Sequence, residues 1–431
     1  MRIAYIAAGA AGMYCGACIH DNTLATALAQ LGHDVPLIPT YTPTRTDERN
    51  VSLPRVFFGG VNVYLQQKFA LFRHTPWWLD RVLDSPALLR LASRFAGRTH
   101  PAELGELTVS MLRAEEGNQR KELKKLIAWL KGHVRPQIVC LTNALLVGLA
   151  REIKRELRVP VICGLPGEDL FLDGLPEPSR AQAHALLRDR SRDADGFIAM
   201  SHYYADLMAN YLGVGRERIH VVWPGLNLDG CKLRPRTTNH ESRVTIGYFA
   251  RIAPEKGLHL LCEAYRLLRQ IPGVRPTRLR AGGWLGDRDY LSAIERDMTA
   301  WGLAGEFEYV GELDRERKIE FLQSLDLFSM PTVHPEPKGL PVLEAMANGA
   351  PVVQPDHGAF PELIRATGGG VLVKPKDPQA LADGLATLVR DDVLRAELGR
   401  HGLEMVHRDF SDQRMAEQTL EIFRAYLAKR R

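Results

Sequence analysis

The chain has 431 residues, of which 45% are hydrophobic and 25% are charged, and its formal net charge is +5. This length is more than one hydrophobic core ordinarily serves, so we expect two domains. The mild positive charge includes no block of like charges that would indicate nucleic-acid binding, and six cysteines in so long a chain exclude a disulfide-rich secreted scaffold.

The first predicted strand is IAYIAA, residues 3–8. A glycine interrupts this apolar run too early for a signal peptide. No apolar run in the sequence is long enough to cross a bilayer. We therefore expect a cytoplasmic protein without a nucleic-acid partner.

A glycine-rich turn, within residues 7–22, follows this strand. Its glycines do not fit the G-x-G-x-x-G dinucleotide pattern, but they allow the backbone to approach a sugar or a phosphate. We expect Asp21 or Asn22 to cap the helix that follows. Cys15 and Cys18 resemble half of a zinc site or a redox pair, but no second Cys/His pair accompanies them, so small residues in a tight turn explain them better.

An apolar and basic segment, residues 64–98, includes Trp77 and Trp78. It opens a helical insert that we place at about residues 64–132. Amphipathic helices usually face a core, so we expect the segment to cover the first sheet. The alternative is peripheral contact with the inner face of a membrane, because the same pattern suits helices lying on a lipid surface.

Short apolar, β-branched runs alternate with amphipathic helical stretches, and this alternation predicts βαβ units with parallel sheets. The predicted strands are 3–8, 35–39, 137–142, 159–164, 196–201 and 218–222 in the first half, and 244–250, 278–283, 306–311, 326–331, 350–354 and 370–374 in the second. The predicted fold class is therefore α/β, with two Rossmann-like, doubly wound domains facing each other across a cleft.

The polar, irregular stretch 225–243 separates the two halves. We place the first domain at residues 1–228 and the second at residues 229–408. The last predicted helix lies within residues 409–431 and is expected to pack back onto the first domain. Ligands of doubly wound sheets bind beyond the carboxyl ends of the strands, where the strand order reverses, so site residues are expected on the loops that follow strands.

The stretch HPEPKGLPVLEAMANGAPV, residues 334–352, begins as a loop and continues as a helix. Pro341 suits a first helical position, where a missing N–H costs nothing. Gly339 and Leu340 therefore present free backbone amides at a helix N-terminus, just past the carboxyl end of a strand. Such a helix end binds anions, and a phosphate suits it.

Two glutamates stand on either side of this helix start. Glu344 lies one turn into the helix, and a carboxylate that accepts two hydroxyl hydrogen bonds suits a ribose diol. Glu336, on the loop, is placed to face the other end of the same ligand, and His334 borders it. The alternative is that both glutamates are ordinary solvated surface residues. If the pair stood alone in the sequence, this alternative would be preferred.

A second loop lies in FARIAPEKGLHLL, residues 249–261, and carries Arg251 and Lys256. An arginine can bind a diphosphate through two parallel hydrogen bonds, and a lysine can bind it as a point charge. Fixed cations of this kind stabilise the negative charge that grows on a departing diphosphate. The alternative is that each is an ordinary surface cation.

Together, ARIAPEKG, the Glu336 and Glu344 pair, EAMANGAPVV and HGAFPELI resemble the retaining nucleotide-sugar glycosyltransferases of family 4, which have the GT-B architecture. The segments GHDV, MSHYYADLM, VVWPGLN, AGG and YVGEL stand in the order usual for that family, so the resemblance covers nearly the whole chain. It implies cleavage of a nucleotide-diphosphate sugar and transfer of the sugar to an acceptor hydroxyl, with retained anomeric configuration.

The resemblance also implies roles for the residues of the two loops. Arg251 and Lys256 would bind the diphosphate, Glu344 the ribose, and Glu336 the donor sugar near its reacting face. Further donor contacts fall on backbone groups, and their implied positions are Gly339 and Leu340 at phosphate or sugar, Gly16 in the first domain, and Gly311 near the base.

The chain departs from the family pattern on its acceptor side. A pattern of His-Gly-x-Asp appears here as Pro166-Gly-Glu-Asp169, so the histidine that often touches the donor sugar is absent. Glu168 or Asp169 is a candidate substitute, and a contact supplied by the acceptor is the alternative. The common Glu-Gly-Phe-Gly appears as Glu336-Pro-Lys-Gly339, which can change local donor contacts.

Asp193-Ala-Asp195 and Asp287-Arg-Asp289 mimic the Asp-x-Asp metal motif of the other glycosyltransferase architecture. The first pair reads as a turn and the second as a helix cap. Two carboxylates alone also make a poor magnesium site. We therefore expect no metal and no cofactor beside the nucleotide-sugar substrate.

Other functions stay open on the same architecture. A sugar-nucleotide epimerase or a phosphorylase is one, and a phosphorylase would require a lysine-bound pyridoxal phosphate. A non-catalytic sugar-nucleotide-binding protein is another, suggested by the missing histidine. The sequence does not choose between UDP, GDP and ADP donors, or between a glycan, a lipid-linked and a small-molecule acceptor.

Overall fold

The computed structural model describes residues 1–9, 16–54, 56–58, 63, 65–67, 101–233 and 243–429. The chain divides into two compact units, residues 1–225 with 412–431, and residues 226–411. The second unit begins at Leu226, inside the polar stretch 225–243 that the sequence singled out. Trp77, Trp78 and Cys15 lie outside the described residues, as does most of the apolar segment 64–98.

The first unit is built on a parallel sheet of six strands in the order β2-β1-β3-β4-β5-β6. These strands are β1 Ile3–Ala7, β2 Leu37–Pro39, β3 Ile138–Leu141, β4 Val161–Leu165, β5 Gly196–Ala199 and β6 Ile219–Val221. The α-helices described between them are α1 Gly16–Gln30, α2 Pro101–Arg113, α3 Arg120–Trp129, α4 Ala150–Leu157, α5 Asp169–Asp173, α6 Ser179–Arg190 and α7 His202–Leu212. Shorter helical turns are Ala114–Glu116, Leu130–Val134, Ala144–Leu149 and Arg216–Arg218.

The second unit is built on another parallel sheet of six strands, in the order β12-β11-β10-β7-β8-β9. Its strands are β7 Val244–Phe249, β8 Thr277–Gly282, β9 Phe307–Tyr309, β10 Leu327–Phe328, β11 Val352–Pro355 and β12 Gly370–Val373. Its helices are α8 Leu258–Leu268, α9 Arg288–Ala300, α10 Arg315–Gln323, α11 Leu340–Ala347, α12 Phe360–Thr367, α13 Pro378–Arg390 and α14 Asp392–Asp409, with short turns at Pro254–Lys256 and Ala304–Glu306.

The strand order of the second sheet decides where a ligand can bind. From its first strand, β7, the chain adds β8 and β9 on one side and then returns to add β10, β11 and β12 on the other. The order therefore reverses between β7 and β10, which is the Rossmann arrangement. The loops that leave these two neighbouring strands are the ones expected to border a ligand.

The chain ends in α15, Asp412–Ala428, which belongs to the first unit and packs against α1. Phe423 of α15 lies in one buried cluster with Leu28 of α1 and with Ile3 and Tyr5 of β1. The alternate β1 residues, Ala4 and Ile6, lie in a different cluster. Strand residues alternate between faces, so both faces of this sheet are covered, as a parallel sheet requires.

All twelve predicted strands are present, and the predicted α/β class with two doubly wound sheets is confirmed. The predicted cap of the first helix is wrong: the described part of α1 begins at Gly16, so Asp21 and Asn22 lie inside it. Tertiary contacts satisfy their polar groups instead. Asp21 accepts from the hydroxyl of Tyr5 at 3.4 Å, and Asn22 binds the backbone of Arg49 and Val51. None of the helices in the described ranges combines the length and the apolar character of a membrane span.

Candidate functional site

The loops that follow β7 and β10 are joined at the point where the strand order reverses. The amide of Val333, after β10, donates to the carbonyl of Glu255, after β7, at 3.0 Å. Gly257 has φ +76°, and a Cβ there would stand 1.9 Å from the Pro331 carbonyl oxygen. Only glycine permits both this conformation and this approach, so the two loops are held as one surface.

An ion pair between Lys256 and Glu336 links the two loops. Lys256 Nζ lies 2.7 Å from Glu336 Oε2, and the amide of Gly339 lies 3.5 Å from Oε1. Glu336 is only 4% exposed. Burial alone would raise the pKa of Glu336, but the charges of Lys256 and Lys338 and the two hydrogen bonds outweigh it and hold this pKa below its usual value. Glu336 is therefore a carboxylate at neutral pH.

The helix start that the sequence predicted lies beside this pair. Gly339 has φ +69° and precedes α11, whose first turn contains Pro341. A Cβ at Gly339 would stand 2.5 Å from Leu363 Cδ1. The first amides of a helix lack intrahelical partners, so the N-terminus of α11 adds partial positive charge next to Lys256 and Glu336.

A third loop, after β11, contacts the backbone of Glu336. No role was predicted for this loop. The amide of Ala359 donates to the Glu336 carbonyl at 2.8 Å. Gly358 has φ +62°, and a Cβ there would stand 2.5 Å from both the amide nitrogen and the carbonyl oxygen of Glu336. His357 Nε2 lies 3.0 Å from the Thr332 carbonyl, which ties this loop to the one after β10. The sequence signal that could have pointed to this loop is the segment HGAFPELI, which includes His357, Gly358 and Ala359.

The second glutamate, Glu344, is also held by a lysine. Lys318 of α10 places Nζ 2.6 Å from Glu344 Oε1. The side chain of Lys318 is 7% exposed and that of Glu344 is 17% exposed. Glu344 is thus neither a freely solvated helix residue nor a fully buried one, and sequence reasoning missed its partner.

Arg251 has a different arrangement from Lys256. Its guanidinium bonds the carboxylate of Glu255 on the same loop, and 43% of its side chain is exposed. A surface pair of this kind contributes little stability and exchanges easily for another anion. Arg251 is therefore available to a ligand, although the structure does not bring it into the Lys256–Glu336 pair.

The remaining candidates of the second unit lie at its loops. Gly311 follows β9 with φ +82°, and its carbonyl accepts from the amide of Gly283 at 2.9 Å. A Cβ at Gly311 would meet no described atom within 4 Å, so its surroundings are open. His334 is exposed on the loop two residues before Glu336.

In the first unit, the buried carboxylate of Glu168 accepts hydrogen bonds from backbone amides. Its Oε1 accepts from the Ala144 amide at 2.8 Å and its Oε2 from the Gly167 amide at 2.9 Å. Burial raises the pKa of Glu168 to about 7, against the lowering effect of these hydrogen bonds. Asp169 accepts from the hydroxyl of Tyr204 at 2.7 Å. Both acids therefore stabilise the loop after β4, while Gly16 forms the first described turn of α1.

The Asp-x-Asp pairs have structural partners. Asp193 pairs with Arg151 at 3.0 Å, and Asp195 accepts from Lys154 at 2.9 Å. Asp287 caps α9 by accepting from the amide of Tyr290, as predicted. Within the described ranges, no group of three or more His, Cys, Asp and Glu side chains is placed to hold a metal ion.

The arrangement in the second unit can bind an anion and orient a polyol. Lys256 and the N-terminus of α11 attract negative charge, and Glu336 and Glu344 accept hydrogen bonds on either side of that helix start. A ligand that carries both phosphate and hydroxyl groups matches this distribution.

Two family models match the chain, one for each unit. The model "Glycosyl transferase 4-like domain" matches residues 22–225, and "Glycosyl transferases group 1" matches residues 232–405. Together they span most of both sheets.

Curated relatives match part of the chain. The phosphatidyl-myo-inositol mannosyltransferase of Mycobacterium leprae is 32% identical over 43% of this chain and 48% of its own length. The D-inositol 3-phosphate glycosyltransferase of Nocardioides is 28% identical over 54% of each chain, and the glycogen synthase of Mycobacterium tuberculosis is 29% identical over 58% of each. The chain spans about half the length of the curated relatives that it matches.

Solved structures match the whole fold. The sucrose-phosphate synthase of Thermosynechococcus elongatus has a TM-score of 0.71 at 18% identity, over 99% of both chains. HepE of Anabaena, solved with UDP, has a TM-score of 0.68 at 18% identity, over 99% of this chain and all of its own. These likenesses establish the GT-B fold.

Proposed function

Because the chain belongs to the GT-B glycosyltransferases of the family 4 type, we propose that it is a hexosyltransferase that moves a sugar from a nucleotide-diphosphate sugar to an acceptor hydroxyl. The observation that carries this proposal is the Lys256–Glu336 ion pair beside the N-terminus of α11, at the reversal of strand order. The known HepE structures, with UDP and with UDP-glucose, belong to another protein of this fold and support a nucleotide-sugar donor.

In this proposal the diphosphate binds between Lys256 and the first amides of α11. Negative charge grows on the diphosphate as the sugar–oxygen bond breaks, and fixed cations and backbone dipoles stabilise that charge most in the transition state. Arg251 joins them by exchanging Glu255 for a phosphate oxygen. Leu340 contributes its amide, and Gly339 contributes its own by giving up its 3.5 Å contact with Glu336 Oε1.

The two glutamates recognise the hydroxyl groups at the two ends of the donor. Glu344 accepts hydrogen bonds from the ribose diol, and Glu336 accepts from the donor sugar. The reduced pKa of Glu336 suits this role, because an ionised carboxylate only accepts hydrogen bonds. We propose that backbone groups around Gly311, whose surroundings are open, read the base.

We propose retention of anomeric configuration, as the family 4 type implies. The acceptor oxygen attacks the anomeric carbon from the face that the leaving diphosphate occupied, the bond from that carbon to the diphosphate oxygen breaks, and the acceptor proton passes to the departing phosphate. No protein nucleophile and no metal enter this sequence. Proton NMR of the product, which distinguishes the two anomers, tests it directly.

The acceptor is a glycan, a lipid-linked glycan or a small molecule. The names of the matched relatives include a phosphatidylinositol lipid, an inositol phosphate and glycogen, so these names do not choose among the acceptors. Cytoplasmic location, peripheral contact with the inner membrane face and the absence of a nucleic-acid partner remain parts of the proposal. Glu168 and Asp169 act on the acceptor side through the loop that they hold.

The decisive experiment is calorimetric titration of the wild type and of Glu344→Ala with UDP, GDP and ADP. We expect one nucleotide to bind the wild type and to bind the variant at least tenfold more weakly, since a hydrogen bond to a charged group contributes about 1.5–3 kcal/mol. That nucleotide then identifies the donor series for turnover assays. Absence of binding by all three would contradict the proposed function.

A further inference from the structure

Lys318 is a buried lysine that has no role in the proposed reaction as described above. It lies on α10, its side chain is 7% exposed, and its Nζ is 2.6 Å from Glu344 Oε1. Lysine is almost never so buried without a partner, because removing its charge from water is costly. A short contact with little exposure fixes the position of both groups, unlike a surface pair between mobile side chains.

We propose that Lys318 is a positioning residue for the ribose of the nucleotide. It holds Oε1 of Glu344, which fixes the rotamer of that side chain and directs Oε2 outward. Each carboxylate oxygen has two lone pairs, so Oε1 can accept from Lys318 and still accept a hydroxyl. This inference rests on the proposed function, in which Glu344 binds the ribose diol.

The surrounding contacts make Glu344, and not the helix, the group that Lys318 controls. Arg315, at the start of α10, donates to the carbonyls of Asn227 at 3.1 Å and Asp229 at 2.8 Å. Gln323, at its end, donates to the Gly230 carbonyl at 3.0 Å. Helix α10 is therefore anchored at both ends without Lys318.

Helix α11 has its own anchors. The side chain of Asn348 donates to the backbone carbonyl of Glu344 at 2.9 Å, and its Oδ1 accepts from Gln323 at 3.2 Å. The backbone of Glu344 is thus held independently of its carboxylate. Removal of the Lys318 ammonium should release the carboxylate while both helices stay in place.

The test compares ribonucleotides with 2′-deoxyribonucleotides. The wild type is titrated with UDP, GDP and ADP and with their 2′-deoxy counterparts, and we expect a preference of tenfold or more for the ribose form. Lys318→Met keeps the aliphatic stem and removes the charge. We expect it to bind the ribonucleotide about tenfold more weakly. The deoxynucleotide, which keeps only the 3′-hydroxyl, should be weakened less, so the preference for the ribose form should fall.

A matched control breaks a similar pair in the other unit. Lys125 Nζ lies 3.0 Å from Glu122 Oε1, with side chains 10% and 0% exposed. Lys125→Met should keep the full preference for ribose. Equal weakening of ribonucleotide and deoxynucleotide by Lys318→Met would assign Lys318 a merely structural role and overturn the inference.

A double variant protects the test against misfolding. Lys318→Met with Glu344→Gln leaves no unpaired buried charge, and it should bind the ribonucleotide as Glu344→Gln alone does, because Lys318 acts through Glu344. Further weakening in the double variant would overturn the inference. A wild type that binds ribose and deoxyribose forms equally also overturns it and leaves the proposed function standing, whereas a wild type that binds no nucleotide contradicts both.

Discussion

Lys256 Nζ lies 2.7 Å from Glu336 Oε2, although the two residues are 80 positions apart in the chain. The contact joins a cation from the loop after β7 to an anion from the loop after β10, where the strand order reverses. Lys256 is 27% exposed and Glu336 is 5% exposed at the side chain, so the lysine faces solvent while the glutamate is enclosed. Lys256 is thus accessible to a ligand, and the enclosed Glu336 fixes the position of the Lys256 ammonium.

Lys256→Met should lower both the stability of the protein and its turnover, each for a different reason. It removes the main partner of a buried carboxylate, which we expect to lower the free energy of unfolding by about 2 kcal/mol, less than for a fully buried pair because Lys256 is partly exposed. It also removes one fixed cation from the leaving diphosphate, for which we expect turnover to fall about 100-fold or more. Urea unfolding and steady-state kinetics measure the two effects.

The double variant Lys256→Met with Glu336→Gln separates them. It contains no unpaired buried charge, so its free energy of unfolding should recover most of the loss, while its turnover should stay low. Recovery of turnover together with stability would show that Lys256 serves only to neutralise Glu336.

Gly358→Ala should displace Glu336 without touching its side chain. An added Cβ would stand 2.5 Å from the Glu336 amide nitrogen and carbonyl oxygen, and φ is +62°. We expect a loss of unfolding free energy of about 2–4 kcal/mol, from backbone strain together with the clash, and a fall in kcat as Glu336 moves.

Gly302→Ala is the matched control. Gly302 has φ +73°, but an added Cβ would meet no described atom within 4 Å. It should therefore lose only about 1 kcal/mol for the backbone conformation and keep its kcat. Equal losses of stability and activity in the two variants would contradict a special role for the Gly358 approach.

The sequence predicted those features that depend on local pattern. Twelve strands and the start of α11 follow from β-branched runs, a glycine and a proline, which act within a few residues. Partners that depend on how strands are ordered were not visible. Lys318 lies in the segment RERKIEFLQ, whose sequence does not distinguish a buried lysine from a surface lysine. Its contact with Glu344 forms only because α10 packs beside α11.

The same limit applies to the polar residues of the first unit. Asp21 and Asn22 are residue types that commonly cap helices, but both lie inside α1. There Asp21 accepts from the Tyr5 hydroxyl, and Asn22 bonds the backbone of Arg49 and Val51. Glu168 stays a predicted substitute for the missing histidine, and the sequence did not show that its carboxylate accepts from two backbone amides. A single sequence gives the residue type but not the donors that reach it.

Turnover should not require a divalent metal. In the proposed reaction the charge of the leaving diphosphate is met by Lys256, Arg251 and the amides of α11. Asp287 is engaged as a helix cap. We expect the rate in EDTA to equal the rate with added magnesium. Asp287→Asn should also keep its rate, because asparagine caps helices as well as aspartate does. A rate that EDTA abolishes and magnesium restores would contradict this prediction.

Glu168 should give the protein a pH-dependent stability of unusual sign. Its pKa is about 7 in the folded chain, above the usual value of 4.5, because burial disfavours the charged form. Between these two values the unfolded chain releases the proton while the folded chain retains it, so stability falls as pH rises from about 4.5 to 7. The loss is at most about 3 kcal/mol, since one pKa unit corresponds to 1.36 kcal/mol.

Glu168→Gln removes this titration, so the wild-type free energy of unfolding minus that of the variant should decrease between pH 5 and pH 8. Urea unfolding at both pH values measures it. Glu177→Gln is the control: hydrogen bonds from the Ala181 amide and from Arg180 lower the pKa of that exposed glutamate, so it titrates below this window and its difference should stay constant. A Glu168→Gln difference that is constant or grows with pH would mean that the Ala144 and Gly167 amides outweigh burial and keep Glu168 ionised throughout.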